Sequence, residues 1–396
     1  MYIGNQIPVL HEMIKRQLSQ LLVEMAMKMP IISIMGPRQS GKTTLAKSIF
    51  PNHHYINFEL PENRLRAELD PLQLLKSYPQ GLILDEVQRV PDLFSFIQVV
   101  ADEWRENGKF ILTGSQNFLL NKQVSQSLAG RVFVSKLMPF SMKEVYLSGE
   151  ATNNFDRLIF KGGYPAIFDR DIDPSLFFPS YQQTYLERDV LDMISLRNLS
   201  NFRRLMGLLA GRVGQLLNLS SLGTELGVDH KTVQSWIAAL EASYVIFLLR
   251  PYHKNFSKRI IKSPKIYFWD TGLACNLLGI QNEKQVDTHW AKGSLFENLV
   301  IGEKAKSFLN QGKESPLYFW RDSNGVEVDL IVESVEGLEV IEIKSGQTFQ
   351  RSFLKNIELF EKNASAIQVN AQVIYGGNES WESGRVSIIS WQKLIG

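Results

Sequence analysis

Over residues 11–29 the apolar positions Ile14, Leu18, Leu21, Leu22, Met25 and Met29 recur at helical spacing, and Pro30 ends the run. A continuous apolar stretch over 31–35 follows and predicts a short buried strand. Residues 36–44 form a glycine-bearing loop, and 45–50 begin a helix. Further strands are predicted over 55–60, 81–84, 110–112 and 132–137, separated by helical stretches. Strands that alternate with helices imply a parallel sheet covered on both faces. The pattern is mostly helical over 146–209. It becomes a small helical unit with a strand hairpin over 211–265. From 266 strands return, with a helix over 295–309 between them. No internal repeat or low-complexity linker interrupts the chain. The pattern divides it into an α/β core (1–145), a helical lid (146–209), a helix-turn-helix unit with a hairpin (210–265) and a C-terminal α/β domain (266–396).

Composition changes this picture little. The 396 residues are 44% hydrophobic and 21% charged, an ordinary globular mixture. The net charge of +2 makes any nucleic-acid surface a local patch. Cys275 is the single cysteine, so no intrachain disulfide exists and a reducing, cytoplasmic setting is expected. No run of about 18 apolar residues is present, so no membrane contact is expected. The first ten residues carry no Lys or Arg, unlike a signal peptide.

Candidate chemistry begins in the glycine loop. Gly36, Pro37, Arg38, Gln39, Ser40, Gly41, Lys42 and Thr43 match G-x-x-x-x-G-K-[ST], between an apolar strand and a helical run. Gly36 and Gly41 let the backbone turn its N–H groups toward phosphate oxygens. The helix start, with Thr44, adds its positive end. Lys42 reaches the β and γ phosphates, and Thr43 supplies a hydroxyl to Mg²⁺. ATP with Mg²⁺ is therefore the expected ligand pair. Asp85 and Glu86 end the apolar run 81–84, at the sheet edge where ligands collect. Asp85 is expected to hold Mg²⁺ through water, and Glu86 to act as general base on the attacking water. Read without the glycine loop, the two acids are a solvated strand end.

The middle of the chain carries a second signal. Leu222, Leu226, Val233, Ile237 and Leu240 are spaced apolar positions broken by a turn at 226–229. This is a helix-turn-helix signature, with a wing expected over 244–251. The second helix would present His230, Lys231, Gln234 and Ser235. Arg250, His253, Lys254, Lys258, Arg259, Lys262 and Lys265 follow without an acid, with Tyr252 and Phe256 interleaved. DNA is the expected partner of this patch. The other reading is an interdomain packing unit with a solvated hairpin.

Near the C-terminus, residues 326–332 and 340–344 read as two strands of a hairpin. A turn centred between Val335 and Glu336 places Asp329 opposite Glu342, and Lys344 shares the Glu342 face. Asp329 and Glu342 could hold a second Mg²⁺ or Mn²⁺, with Lys344 beside the activated water. Glu297, on the 295–309 helix, offers another carboxylate. Without a metal, the same residues make a surface hairpin of alternating charge.

The glycine loop stands in order with Leu-Asp-Glu-Val-Gln (84–88), Leu-Thr-Gly-Ser (112–115), Leu-Ala-Gly-Arg (128–131) and Gly-Gly-Tyr-Pro (162–165). Together they resemble a prokaryotic family of predicted AAA-superfamily ATPases over nearly the whole chain. The resemblance implies an AAA-type P-loop fold and a C-terminal domain similar to PD-(D/E)xK nucleases, beside the helical lid and winged helix-turn-helix that the pattern itself predicts. The Asp329…Glu342-x-Lys344 arrangement, preceded by Trp320-Arg321-Asp322, fits that nuclease core. Val328 stands where the pattern's namesake proline would be. The resemblance further implies a γ-phosphate sensor among Thr113, Ser115 and Asn117. It implies a homo-oligomer, with a hexamer one form, and an arginine finger at Arg131 or Arg188, either of which could instead be a structural ion pair. Two activities follow. One is an ATPase that binds DNA and cuts it through the C-terminal domain. The other is an ATP-driven switch whose inactive C-terminal domain binds a protein partner.

Overall fold

The structure is a computed structural model that describes residues 14–115, 127–149, 152–186, 199–252, 262–363 and 368–395. Asn117 and Arg188 lie outside these residues, as do His253, Lys254, Phe256, Lys258 and Arg259 of the basic stretch.

Among the described residues there are two sheets. The first holds β1 (Ile31–Met35), β2 (His54–Asn57), β3 (Leu82–Asp85), β4 (Phe110–Gly114) and β5 (Val132–Lys136), all parallel, in the order β2-β3-β4-β1-β5. Strand alternation divides its side chains between two cores. Ile32 and Ile34 pack with Leu18, Leu22 and Leu45 of the helices Leu18–Ala26 and Lys42–Ile49. Ile31 and Met35 face the other way, with Phe94 and Ile97 of the helix Leu93–Trp104. The first helix begins at Leu18, later than its apolar spacing suggests. Arg16 lies just before it, where its side chain is drawn into the core by Ser40 and Met138 carbonyls.

The second sheet holds β6 (Ile246–Pro251), β7 (Lys265–Phe268), β8 (Leu317–Arg321), β9 (Glu327–Ser334), β10 (Gly337–Lys344), β11 (Val369–Tyr375), β12 (Trp381–Ser383) and β13 (Val386–Ser390). Their order is β12-β13-β11-β10-β9-β8-β6-β7. β6, which covers most of the wing expected over 244–251, pairs with β7 and joins the C-terminal sheet, through Arg250↔Tyr318 and Pro251↔Phe319. The expected border between residues 265 and 266 falls inside β7. Before this hairpin, the helices Leu219–Leu226 and His230–Ala242 meet at a turn through Gly227. Asp229 caps the second by accepting from Lys231 and Thr232 N–H.

The lid helices, the helix pair, the hairpin and the C-terminal domain bury one continuous apolar core, from Phe155 and Phe178 through Trp236 to Phe296 and Ile341. The helix Lys292–Asn310 ties the segments together. Asn310 donates to Gln17 and Lys306 to the Phe140 carbonyl, while Glu303 accepts from the Met142 N–H. Asn298 brackets Phe268 of β7, accepting from its N–H and donating to its carbonyl, each at 2.8 Å. No helix among the described residues is long and apolar enough to cross a membrane.

Candidate functional sites

The glycine loop leaves β1 and enters the helix Lys42–Ile49. Gly36 has φ 149°, and a Cβ there would lie 2.1 Å from the Leu137 carbonyl oxygen, so only glycine fits. Gly41 is left-handed (φ 91°) and offers no side-chain cap to the helix N-terminus. That end is therefore open to an anion. Lys42 is buried and its ammonium donates to the Gly36 and Pro37 carbonyls, at 3.0 and 2.8 Å. Arg16 braces the loop from outside: it donates to the Ser40 carbonyl at 2.8 Å and to Glu144 at 3.1 Å.

Asp85 ends β3 beside the loop. Thr43 donates to its Oδ2 at 2.9 Å, Tyr55 to the same oxygen at 2.7 Å, and Thr113 to Oδ1. Burial first, and then Asp85, push the Tyr55 phenol well above its ordinary value. Glu86 follows in the left-handed region (φ 54°), a strained conformation for a non-glycine residue. Its Oε2 accepts from Gln88 at 2.5 Å and from Ser115 at 3.2 Å. The two acids thus face different partners.

A cleft of about 560 Å³ opens over the loop. Arg38, Lys42 and Thr43 line one wall with Glu86, and Arg170 and Tyr181 of the lid line the other. Its size suits a small-molecule ligand. The Ser40 hydroxyl is buried without a hydrogen-bond partner. The donor-rich loop, the open helix end and the Thr43–Asp85 pair fit ATP with Mg²⁺. Arg131 stands apart, in a two-pronged pair with Asp102 at 2.6 and 2.9 Å on the protein surface.

The C-terminal carboxylates gather as a second cluster. The β9/β10 register pairs Leu330 with Ile341, and its next step sets Asp329 beside Glu342. Lys344 bridges them, 3.2 Å from Asp329 and 2.7 Å from Glu342. Burial, and next Asp329, raise the Glu342 carboxyl to about 8. Burial works against the Lys344 ammonium, but the two acids outweigh it and its pKa rises.

Glu297 answers to other partners. It lies 3.0 Å from Lys265 and accepts from Tyr267 at 2.5 Å, both on β7. Lys265 also pairs with Glu327 at 2.6 Å. Lys265 is 2% exposed, so it is an internal cation and is withdrawn from the basic patch expected around it. Glu297 and Asp329 still sense each other's charge, and burial first raises the Glu297 carboxyl. Asp329 and Glu342, the pair expected to hold a second Mg²⁺ or Mn²⁺, stand together with Lys344 between them. Among the described residues no three His, Cys, Asp or Glu side chains are grouped to hold a metal ion. Lys265 and Lys344 place two ammonium groups among these carboxylates.

Arg16, Tyr55, Gln88 and Tyr267 join these sites without having been singled out from the sequence. Only Gln88 carried a signal there, as part of the Leu-Asp-Glu-Val-Gln run.

Comparison with known proteins matches three stretches of the chain. Residues 28–146 match the family described as "AAA domain". Residues 152–284 and 292–394 match domains of unknown function, DUF8612 and DUF4143. "Uncharacterized protein Rv2008c" of Mycobacterium tuberculosis is 33% identical over 308 residues, 77% of this chain and 68% of that protein. "Uncharacterized protein MJ1544" of Methanocaldococcus jannaschii is 24% identical, over 91% of this chain and 85% of its own. Among solved structures, AMPPCP-bound DnaA from Aquifex aeolicus superposes with a TM-score of 0.30 at 15% identity, covering 57% of this chain and 85% of that one. A score this low does not map one chain's parts onto the other's. The chain carries an AAA-type, ATPase-like P-loop domain and belongs to the bacterial and archaeal protein family that includes Rv2008c.

Proposed function

We propose that this protein is an Mg²⁺-dependent ATPase whose nucleotide state is passed to a DNA-engaging C-terminal half. The observation that carries the first part is the Thr43–Asp85 contact at 2.9 Å beside the Lys42 loop. Lys42 would exchange the Gly36 and Pro37 carbonyls for phosphate oxygens. Bound Mg²⁺ would supply charge neutralisation between the phosphates. Thr43 would hold it, with Asp85 behind. Glu86 would take the proton of the attacking water, with Ser115 and Gln88 fixing its carboxylate. Lys42→Ala should abolish ATP binding. Glu86→Gln should bind ATP yet turn over at least ~100-fold more slowly. Wild-type turnover in Glu86→Gln would show that the base lies elsewhere.

The DNA part rests on the exposed His230, Lys231, Gln234 and Ser235 along one helix face. In this reading the PD-(D/E)xK-like cluster serves as a scaffold, its acids offset in part by Lys265 and Lys344 within the chain. The convergence of Asp329, Glu342 and Lys344 supports a second reading, in which the same domain cleaves DNA. Incubation of plasmid and single-stranded DNA with Mn²⁺ separates the two. Cleavage that disappears in Lys344→Ala would establish the second reading, and intact DNA the first.

A further inference from the structure

Three hydroxyl groups from three elements converge on the Asp85 carboxylate. Thr43 comes from the helix after the glycine loop, Thr113 from β4 and Tyr55 from β2. The parallel register sets Asn57 beside Asp85, so Tyr55 lies on the same strand face one diagonal step back. Its ring spans that step to reach Oδ2. The Lys47 ammonium sits 3.4 Å from the ring centroid and holds it from above. Both ends of the Tyr55 side chain are therefore fixed, although β2 is the edge strand.

A carboxylate has about four lone-pair positions. Thr43 and Tyr55 fill those of Oδ2, and Thr113 takes one on Oδ1. One position remains, suited to the O–H of a metal-bound water. Asp85 is thereby kept from grasping a metal directly, while the Thr43 hydroxyl stays oriented with its second lone pair outward. We infer that Tyr55 is a positioning residue for Mg²⁺: its phenol locks Asp85 so that the carboxylate acts on the ion through water while Thr43 ligates it. This inference rests on the Mg²⁺-ATP reading of the site. It adds a determinant from the edge strand that the glycine loop and the Asp-Glu pair do not contain.

The test uses the full chain. Mg²⁺ is titrated at saturating ATP in wild type, Tyr55→Phe and Thr113→Ala, and the affinity for a fluorescent ATP analogue is measured in EDTA. In Tyr55→Phe the Mg²⁺ concentration for half-maximal turnover should rise about tenfold, the weight of one hydrogen bond to a charged group. Affinity in EDTA and the melting temperature should stay as in wild type. Thr113→Ala should give the same Mg²⁺-specific shift from the other oxygen. Tyr78→Phe removes only the hydroxyl from a ring stacked on His54 of the same strand, and should change nothing. An unaltered Mg²⁺ requirement in Tyr55→Phe overturns the inference. An equal loss of affinity with and without Mg²⁺ also overturns it, because general loosening of the site would act that way. If wild type shows no turnover, the ATPase reading fails, and the Mg²⁺ dependence of analogue binding decides the role of Tyr55 on its own.

Discussion

The Lys265 ammonium lies 3.0 Å from the Glu297 carboxylate, joining the last hairpin of the middle unit to the helix that opens the C-terminal domain. Lys265 is nine-tenths buried or more and serves Glu327 as well. Removing it leaves two acids without their shared cation. Lys265→Met should therefore cost about 3–5 kcal/mol of stability in urea unfolding. Adding Glu297→Gln should recover part of that loss. Stability equal to wild type in Lys265→Met would mean that water reaches these carboxylates.

Asp270, just after β7, predicts a pH dependence. It accepts from the Gly163 N–H at 2.7 Å and from the Leu273 N–H at 3.0 Å, and burial raises its carboxyl pKa. A carboxyl raised on folding favours the folded state when protonated. That contribution is full below the unfolded value of about 3.9 and is lost as pH rises through the higher folded value. The stability of wild type relative to Asp270→Asn should therefore fall as pH is raised across that window. Parallel stability curves would show that Asp270 titrates as an ordinary carboxyl.

Arg131 is the finger we propose to act between subunits. Its pairing with Asp102 leaves it on the surface, where a neighbouring subunit could draw it away. Mixing Arg131→Ala with Lys42→Ala chains should restore some ATPase activity, because each supplies what the other lacks. Turnover no higher than the sum of the separate mutants moves the finger to Arg188 or into a site complete in one chain.

DNA binding should weaken steeply with salt, as contacts from Lys and Arg to phosphate do. Reversing Lys254, Lys258 and Arg259 to Glu should lower affinity strongly at moderate salt, measured by fluorescence anisotropy. Lys265→Met should leave the salt slope unchanged, because that ammonium faces inward. An equal effect from Lys265→Met would place the DNA surface elsewhere.

Much of this architecture was legible because local chemistry announces it. The glycine loop sits on the β1-to-helix turn, where its spacing puts it. The alternation around Val335 and Glu336 gives the register that brings Asp329 to Glu342. What stayed hidden depends on partners distant in sequence. Tyr55 looks like any strand aromatic until β3 lies beside it. Lys265 closes a basic run along the chain, yet the sheet turns it inward, because β7 packs against the helix carrying Glu297. Periodicity reports which face of an element is apolar, but it does not report which charged groups another element will bring to that face.

The helix Lys292–Asn310 has a consequence for inheritance. It belongs to the last segment of the chain, yet it supplies partners to Gln17, Phe140 and Met142 in the first and pins β7 of the third. A fragment ending before it would strand the Phe140 carbonyl and the Met142 N–H and expose the apolar face it covers. Exchange of one segment for a foreign one would meet the same penalty at every point this helix touches. The glycine loop and the carboxylate cluster are therefore tied through one shared interior, and recombination that separates them leaves that core incomplete.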